Sequence, residues 1–218
     1  SSYVDYVTQD ANIKLSVTQL GGSGWQSSGN SSDSIPSAST YKLYVMLKVF
    51  DAIKSGQIGW NSKVLDINAS TCFERIIVVS SNACAEAWID QFGRREINSF
   101  LSSQGFSDGT SFTGPDATRT TANDLNKLLI QLENGTLVSS QHKTMLLEKM
   151  HRQIYRQGVP AGTSAPVYNK VGFLWDYRHD AAIVRHSKGS YVIIVMTKDQ
   201  SWQKIAEITR QVERILYG

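Results

Sequence analysis

The spacing of apolar residues gives the chain a start and an end of strand character and a helical middle. Residues 12–20 alternate apolar and polar with a period of two, which predicts a half-buried strand. The glycine-rich segment 21–24 is a predicted turn, and residues 25–28 are predicted to return as its hairpin partner. A short amphipathic helix over residues 2–8 is predicted to precede this hairpin.

The middle of the chain carries apolar residues at helical spacing, interrupted by glycines and polar capping residues. Helices are predicted over residues 39–56, 71–79, 83–92, 95–103, 121–135 and 139–150. The segment 105–119, between two of these helices, is predicted to be a loop. Thr121-Ala122-Asn123-Asp124 has the pattern of a capping box and marks the start of the helix that follows the loop.

The last part of the chain returns to strand character. Residues 167–171, 181–185 and 191–197 are predicted strands, and the last is β-branched and continuous enough for a buried central position. Ser201 is predicted to cap a closing helix. This order predicts an α+β fold: an antiparallel sheet built from both chain ends and flanked by helices, with an inserted all-helical lobe.

Length and composition favour a single globular domain. A chain of 218 residues can bury a substantial core as one domain, so we expect residues 1–218 to form it. The sheet lobe is expected at about 1–38 and 163–218, and the helical lobe at about 39–162. The chain is 41% hydrophobic and 19% charged, and its net charge of +3 is too small to indicate a nucleic-acid partner. No apolar run reaches membrane-spanning length.

The cysteines and histidines give no indication of a cofactor. Twelve residues of straight helix would separate Cys72 from Cys84 by about 18 Å, so a disulfide would require the chain to fold back between them. We expect two small buried side chains here and leave their pairing open. The histidines at 142, 151, 179 and 186 lack metal-ligand spacing, and we expect surface or edge positions for them and no metal.

The first candidate catalytic residues are Ser39 and Lys42, which lie three residues apart just before an apolar run. If a helix starts here, the two side chains share one face, with Cβ atoms about 5–6 Å apart. Burial under the helix would favour the neutral amine of Lys42, and a neutral amine beside a hydroxyl can serve a nucleophile as its base. The spacing alone is weakly specific, because serine is a common helix cap and the lysine could be solvated.

Two further polar clusters occur where predicted elements begin or break. Ser80-Ser81-Asn82 separates two apolar helical segments, and Lys170-Val171-Gly172 lies at the end of a predicted strand. With the first pair, they match in order the S-x-x-K, S-x-N and K-T-G elements of the penicillin-recognising serine enzymes. The third match is imperfect, because Val171 stands where threonine or serine is expected.

Over nearly its whole length the chain resembles the superfamily of serine β-lactamases and D-Ala-D-Ala peptidases. Residues 38–43 are similar to the nucleophile segment of class A β-lactamases, and residues 80–85 are similar to their Ser-Asp-Asn segment. Residues 178–184 resemble the strand that follows their K-T-G element. Three ordered motifs are far more specific than any one of them, and together they imply a β-lactamase/transpeptidase-like fold.

The resemblance implies a role for each motif residue. Ser39 would attack a carbonyl with Lys42 as its base, so that an acyl-enzyme forms. Ser80 would pass a proton towards the leaving nitrogen, and Asn82 would hold the amide side chain of the substrate. Lys170 would supply positive charge to the substrate carboxylate and keep the Ser80 hydroxyl poised.

The residues after Lys170 complete the implied substrate cleft. The oxyanion would lie between the backbone N–H groups of Ser39 and Phe173, which could stabilise it by ~3–4 kcal/mol each. Val171 and Gly172 would line the cleft. Val171 lacks the hydroxyl that binds the substrate carboxylate in the family, and such a hydrogen bond is worth ~1.5–3 kcal/mol.

The departure at Val171 leaves two explanations open. Another group holds the carboxylate, with Arg178 and His179 as nearby candidates, or the natural substrate has none. The bulky run Phe173-Leu174-Trp175 also differs from the small polar residues usual at this point. These side chains could reshape the cleft, or they could pack against the helical lobe.

A second departure lies in the segment 105–120. In class A β-lactamases the corresponding loop is longer and carries a glutamate that activates the deacylating water, whereas the only carboxylates here are Asp108 and Asp116. The segment looks more like that of the D,D-peptidases. We therefore expect poor deacylation and a persistent acyl-enzyme with penicillin.

We interpret the chain as an exported bacterial serine hydrolase of the penicillin-binding type, acting on a peptidoglycan-like peptide or a related amide or ester. Its partners are expected to be cell-wall peptides or β-lactams, and a membrane is involved only through a signal or anchor outside this sequence. Two alternatives stay open. One is a true β-lactamase with an unrecognised water-activating residue. The other, which Val171 keeps open, is a catalytically impaired binding module that retains the fold.

Overall fold

The computed structural model describes residues 1–218, and its helices lie close to those predicted from apolar spacing. The eight helices are α1 (Ser2–Val7), α2 (Tyr41–Lys54), α3 (Ala69–Val78), α4 (Asn82–Phe92), α5 (Arg94–Ser103), α6 (Ala122–Asn134), α7 (Ser140–Arg152) and α8 (Trp202–Tyr217). The predicted caps at Thr121 and Ser201 are confirmed, since each side chain accepts a hydrogen bond from a backbone N–H in the first turn of its helix. None of the helices combines the length and apolar character needed to cross a bilayer.

Nine strands form one large sheet and two small ribbons. They are β1 (Ile13–Gln19), β2 (Gln26–Gly29), β3 (Ile35–Pro36), β4 (Lys63–Val64), β5 (Ile67–Asn68), β6 (Arg119–Thr120), β7 (Val167–Leu174), β8 (Tyr177–His186) and β9 (Gly189–Lys198). The large sheet has the order β2-β1-β9-β8-β7, and every pairing in it is antiparallel. Strands from both chain ends thus share one sheet, which confirms the predicted α+β fold.

Helices cover both faces of this sheet. The larger apolar core lies between one face and the helices of the middle of the chain, and the smaller one lies under α1 and α8 on the other face. Helix α2 is the most enclosed, because ten of its 14 residues are buried. The helix that carries Lys42 therefore runs through the centre of the molecule, and the rigid surroundings fix the start of α2 against the sheet.

Strands β7 and β8 extend further than predicted, and they meet in a tight turn at Trp175-Asp176. Apolar spacing placed these strands at residues 167–171 and 181–185, whereas the resemblance to the strand after the K-T-G element already covered residues 178–184. Asp180 is fully buried within β8. Its carboxylate accepts hydrogen bonds from the Asn169 side chain and the Val159 backbone N–H, which makes its burial tolerable.

Cys72 and Cys84 form a disulfide between α3 and α4. Both side chains are buried as expected, and their pairing, which the sequence left open, depends on the chain folding back between them. The chain reverses between Val78 and Asn82, and the Cα atoms of the two cysteines come within 5.4 Å. The disulfide closes the loop that contains Ser80.

Two of the four histidines are buried, contrary to the predicted surface or edge positions. The His142 ring stacks on Phe50, with ring centroids 4.6 Å apart. His179 is fully enclosed, and its two ring nitrogens are bonded to the Pro36 carbonyl oxygen and the Thr197 backbone N–H. Ring stacking and satisfied nitrogens explain how these side chains are accommodated in the core.

Candidate active site

Ser39 lies in a short 3-10 turn, Ala38–Thr40, that leads directly into α2. The N-cap position of α2 is Thr40, and no side chain makes a capping hydrogen bond there. Ser39 therefore does not act as a helix cap. Ala38 has a φ of 47°, a left-handed conformation that is unusual for a residue with a side chain and that turns Ser39 towards the sheet.

Lys42 contacts three other polar residues of the site, Ser39, Ser80 and Asn82. Its Nζ lies 3.2 Å from Ser39 Oγ, 3.0 Å from Ser80 Oγ, 2.7 Å from the Ser80 carbonyl oxygen and 2.7 Å from Asn82 Oδ1. Burial lowers the pKa of Lys42 to about 8, and the negative charge of Glu86 opposes this shift. A large fraction of the amine is therefore neutral at mildly alkaline pH.

The four neighbours of Lys42 Nζ can all accept hydrogen bonds from the ammonium, and they can also accommodate the neutral amine. The Ser80 carbonyl oxygen and Asn82 Oδ1 can only accept hydrogen bonds, so two N–H groups of a neutral amine satisfy them. The nitrogen lone pair then remains for a hydroxyl proton, and Ser39 Oγ lies within its reach. This arrangement can withdraw a proton from Ser39, which is what a base must do for a nucleophile.

Ser80 and Asn82 are presented by the turn between α3 and α4. Ser80 has a φ of 59°, and Ser81 caps α4 by accepting a hydrogen bond from the Cys84 backbone N–H. The left-handed residue reverses the chain, and the cap fixes where α4 begins. The disulfide of Cys84 holds α4 to α3 on the far side of the same turn.

Lys170 approaches Ser80 from the sheet. Its Nζ lies 3.0 Å from Ser80 Oγ and 2.7 Å from the Val171 carbonyl oxygen, and the side chain is fully buried. Burial holds the pKa of Lys170 well below its ordinary value, the charge of Lys42 lowers it further, and Asp180 opposes both effects. Ser80 Oγ thus lies between two lysine amines, and protons can pass along this chain of groups.

Gly172 allows β7 to approach the nucleophile. A Cβ at this position would lie 2.7 Å from the Ser39 backbone nitrogen and 3.0 Å from that of Thr40, too close for any side chain. Only glycine permits this contact between strand and turn. The approach brings the backbone around Phe173 next to the backbone of Ser39, where the resemblance places the oxyanion.

The predicted substrate-binding residues of β7 differ in accessibility. Val171 is 1% exposed and offers no hydroxyl to a ligand. Phe173 is 48% exposed, and its ring packs edge-on against Tyr155 and Trp202. Phe173 thus contacts a residue of the predicted helical lobe, Tyr155, whereas Leu174 and Trp175 are exposed.

Of the two candidates for binding a carboxylate, Arg178 is retained and His179 is not. His179 is ruled out, because it is fully buried and both ring nitrogens already have partners. Burial also lowers its pKa to about 4, so it carries no charge at neutral pH. Arg178 pairs with Phe173 across the strands, and its Nη1 donates to the Gln200 carbonyl oxygen at 2.9 Å. It lies in the exposed region beside β7.

Sequence reasoning missed two residues beside the lysine. Tyr41 lies next to Lys42, with Lys42 Nζ 5.8 Å from the centre of the tyrosine ring. Burial and the charge of Glu86 raise the pKa of Tyr41 to about 12. Glu86 follows Asn82 by four residues on α4, a spacing that places both side chains on one helix face and that was visible in the sequence.

The segment 105–120 brings no carboxylate to Lys42 or Ser39. Asp108 and Asp116 are exposed, and neither forms a hydrogen bond or salt bridge with a residue of the site. The buried carboxylate of Asp124 instead accepts hydrogen bonds from Ser107 and Thr110. These hydrogen bonds hold the segment 105–120 against the start of α6.

Comparisons with known proteins agree with this geometry. The family model described as the beta-lactamase enzyme family matches residues 4–218. Among curated proteins, none matches the chain. The solved structure of PBP-A is 23% identical, with a TM-score of 0.86 and coverage of 100% of this chain and 95% of that chain. A PBP-A mutant in an acyl-enzyme complex with penicillin G is 22% identical, with a TM-score of 0.89 and coverage of 99% and 94%.

A beta-lactamase from Sphaerobacter thermophilus has the same fold. It is 19% identical to this chain, with a TM-score of 0.86 and coverage of 98% of this chain and 97% of that chain. At such identities the likeness concerns the fold. What the site does must be argued from its own residues.

Proposed function

Since this chain belongs to the beta-lactamase enzyme family, we propose that it is a serine hydrolase of the penicillin-binding type that forms an acyl-enzyme at Ser39. The observation that carries the proposal is the set of contacts around Lys42 Nζ, which holds a buried amine within hydrogen-bond distance of Ser39 Oγ. A solvated lysine would keep its proton and could not act as a base.

In the acylation step, Ser39 Oγ attacks the carbonyl carbon of an amide or ester. The hydroxyl proton moves to Lys42 Nζ as the new C–O bond forms. The carbonyl oxygen becomes an oxyanion, for which the backbone N–H groups of Ser39 and Phe173 are the proposed donors. The close contact of Gly172 with the Ser39 backbone supports this assignment, because it brings the two donors to the same place.

Collapse of the oxyanion breaks the bond to the leaving group. The leaving nitrogen or oxygen takes a proton from the Ser80 hydroxyl, and Ser80 recovers one from Lys42 through the 3.0 Å contact. The proton removed from Ser39 thus reaches the leaving group, and Lys42 returns to its neutral form. Lys170, 3.0 Å from Ser80 Oγ, orients this hydroxyl. Burial lowers the pKa of Lys170, and the negative charge of an anionic substrate would raise it again, so that a bound anion favours the positively charged form.

The deacylation half of the reaction is proposed to be slow for β-lactams. A water that attacks the acyl-enzyme needs a base, and no carboxylate of the segment 105–120 is bonded to the site. The acyl-enzyme that a PBP-A mutant forms with penicillin G offers a parallel in a protein of the same fold. The proposal therefore favours a D,D-peptidase-like enzyme over an efficient β-lactamase.

The natural substrate is proposed to be a peptidoglycan-like peptide or a related amide or ester, met outside the cytoplasm of a bacterium. The site geometry weighs against a binding module that merely retains the fold. Such a module would have no need of two buried lysines, whose burial costs free energy. Here Lys42 and Lys170 both contact Ser80 Oγ.

The test of this proposal is labelling with a fluorescent penicillin. We expect covalent labelling of the wild-type protein, with the modified peptide mapping to residue 39. The Ser39→Ala variant should not be labelled, whereas Ser37→Ala, which changes a neighbouring buried serine, should be labelled if it folds. Labelling that survives Ser39→Ala would refute the assignment of the nucleophile.

A further inference from the structure

A cavity of about 410 Å³ lies beside the candidate active site, and no step of the proposed acylation uses it. Its walls come from the segment that follows α7, from the hairpin of β7 and β8, and from the first residue of α8. Five aromatic side chains line it, and among them the Phe173 ring packs against those of Tyr155 and Trp202. These residues are far apart in sequence, and the fold brings them together at one end of β7.

Phe173 connects the cavity to the site. Its backbone follows Gly172, which touches Ser39, while its ring lies 5.4 Å from the Tyr155 ring and 6.3 Å from the Trp202 ring. Because side chains alternate along a strand, Phe173 points to the opposite face of β7 from Gly172. The cavity therefore lies on the other face of β7 from the contact between Gly172 and Ser39, and Phe173 belongs both to the cavity and, through its backbone, to the proposed oxyanion position.

The apolar walls of the cavity are open to solvent. Phe173 is 48% exposed, Ile154 56% and Trp175 66%, although most aromatic and large aliphatic side chains of this chain are buried. Neighbouring exposed side chains of this size form a patch that gains free energy when an apolar group covers it. Such a concave aromatic patch is typical of a site for a ligand group.

The polar groups of the cavity indicate the chemistry of that ligand. No acidic residue lines it. Arg156 directs its guanidinium to the Asn169 side chain and to the carbonyl oxygens of His151 and Val167. Arg178 donates one hydrogen bond, to the Gln200 carbonyl oxygen, and its other N–H groups remain for a ligand. An aryl group with a nearby negative charge fits these walls, because the aromatic rings offer apolar surface and Arg178 offers a positive charge.

We infer that this cavity is a substrate subsite for a large apolar or aromatic group carried by the leaving side of the scissile bond. The inference rests on the proposed function, in which Ser80 gives its proton to the leaving group. Strand β7 lies at the edge of the sheet and runs from Lys170, beside Ser80, to Phe173 at the cavity, so a leaving group that lies along this edge directs its substituent to the cavity. Val171 lies on the same face of β7 as Phe173 but is buried, so Phe173 supplies the exposed hydrocarbon surface there. The subsite selects amides and esters whose leaving group bears an aryl or bulky alkyl substituent.

The experiment compares three esters of N-acetylglycine whose leaving groups are glycolate, lactate and phenyllactate. They share the acyl group and the carboxylate, and they differ only in the substituent that would enter the cavity. We expect kcat/KM for the phenyllactate ester to exceed that for the lactate ester by about tenfold or more. Trp202→Ala should reduce this ratio to about threefold or less, because it removes one wall of the cavity.

Tyr6→Ala is the matched control, because Tyr6 is an exposed aromatic residue on α1 outside the cavity. It should keep the full preference for phenyllactate. If Trp202→Ala proves unfolded by circular dichroism, Tyr155→Ala serves as the cavity variant. A wild-type enzyme that is acylated at Ser39 but hydrolyses the lactate and phenyllactate esters equally well would overturn the subsite and leave the proposed function standing.

Binding to Ser39→Ala separates the subsite from catalysis. Phenyllactate and lactate are titrated into this variant, and the intrinsic tryptophan fluorescence is followed, to which Trp175 and Trp202 of the cavity contribute. We expect phenyllactate to bind at least tenfold more tightly than lactate, even if no ester acylates the wild-type protein. Equal affinities, or no saturable change with phenyllactate, would overturn the subsite whatever the outcome for catalysis.

Discussion

Lys42 contacts Ser80 twice, with its Nζ 2.7 Å from the backbone carbonyl oxygen and 3.0 Å from Oγ. The same nitrogen lies 3.2 Å from Ser39 Oγ. One side chain therefore sets the distance between the start of α2 and the turn before α4. Through these contacts the proposed base also positions the proposed proton donor, so removal of Lys42 affects both groups.

The first prediction concerns the pH dependence of acylation. Burial lowers the pKa of Lys42 to about 8, so the ammonium predominates below this pH and the neutral amine above it. The acylation rate should therefore rise with pH through about 8 and then level off. Stopped-flow measurement with a fluorescent penicillin from about pH 6 to about pH 10 gives the profile.

Substitution of the lysine tests whether this profile belongs to Lys42. Lys42→Arg keeps the positive charge but holds no lone pair, and acylation should fall by roughly 10²–10⁴-fold. Lys54→Arg changes an exposed lysine on the same helix and should retain the wild-type rate and profile. A rate that does not change across pH 8 in the wild-type protein would contradict the role of Lys42 as the base.

A second prediction concerns Glu86. Its negative charge favours the ammonium form of Lys42 and so raises the pKa of the lysine. Glu86→Gln should therefore move the midpoint of the acylation profile to lower pH. The control is Asp90→Asn, which removes an exposed carboxylate one turn further along α4. The prediction fails if the midpoint stays in place in Glu86→Gln, or if both variants shift it equally.

A third prediction follows from the contact of Gly172 with the nucleophile turn. Gly172→Ala would place a Cβ 2.7 Å from the Ser39 backbone nitrogen, and backbone must move to relieve the clash. Acylation should fall by about 10²-fold or more, since displacements near 1 Å are enough to misalign reacting groups. The free energy of unfolding should fall by ~1–3 kcal/mol. In Gly59→Ala the nearest atom would be 3.9 Å away, so both quantities should stay near wild type.

A fourth prediction concerns the disulfide. The double variant Cys72→Ala/Cys84→Ala should lose ~2–4 kcal/mol of unfolding free energy, because the loop between the cysteines is no longer closed in the unfolded chain. Acylation should also slow, since α3 and α4 hold the turn that presents Ser80. Urea denaturation and the stopped-flow assay measure the two effects. Unchanged stability in the variant would show that packing alone holds this turn.

The sequence predicts those parts of the fold that depend on local periodicity. Helices α2 and α8 and the alternating strand β1 follow directly from their apolar spacing. Apolar spacing alone missed the start of β8, because Asp180 is charged and its burial depends on partners that lie 11 and 21 residues away. The sequence could not decide the disulfide for a similar reason, because a left-handed Ser80 reverses the chain between the cysteines.

The candidate site was predictable to the extent that its motifs are local. Ser39 and Lys42 lie one helical turn apart, and the resemblance joined them to Ser80, Asn82 and Lys170. The structure adds the convergence of two amines on one hydroxyl, a property of tertiary packing that no single segment encodes. Local motifs do not predict which side chains are buried. His179 follows the K-T-G-like element closely in sequence, yet its side chain lies wholly inside the core.

The same limit applies to the aromatic cavity. The run Phe173-Leu174-Trp175 differs from the small polar residues usual at this point in the family. The sequence left two positions open for these side chains, in the cleft or against the helical lobe. Tyr155 and Trp202 complete the cavity from separate elements, and their positions depend on how α8 packs on the sheet. The group that fills the cavity must therefore be identified by varying the substrate.

The most direct test of the account is intact-mass spectrometry of the protein mixed with excess benzylpenicillin. We predict one adduct with the full mass of the antibiotic, since ring opening releases no fragment. The adduct should persist on the timescale of hours and should be absent from Ser39→Ala. The absence of any adduct on the wild-type protein, or rapid turnover of the antibiotic without a lasting adduct, would contradict an acyl-enzyme that forms readily at Ser39 and deacylates slowly.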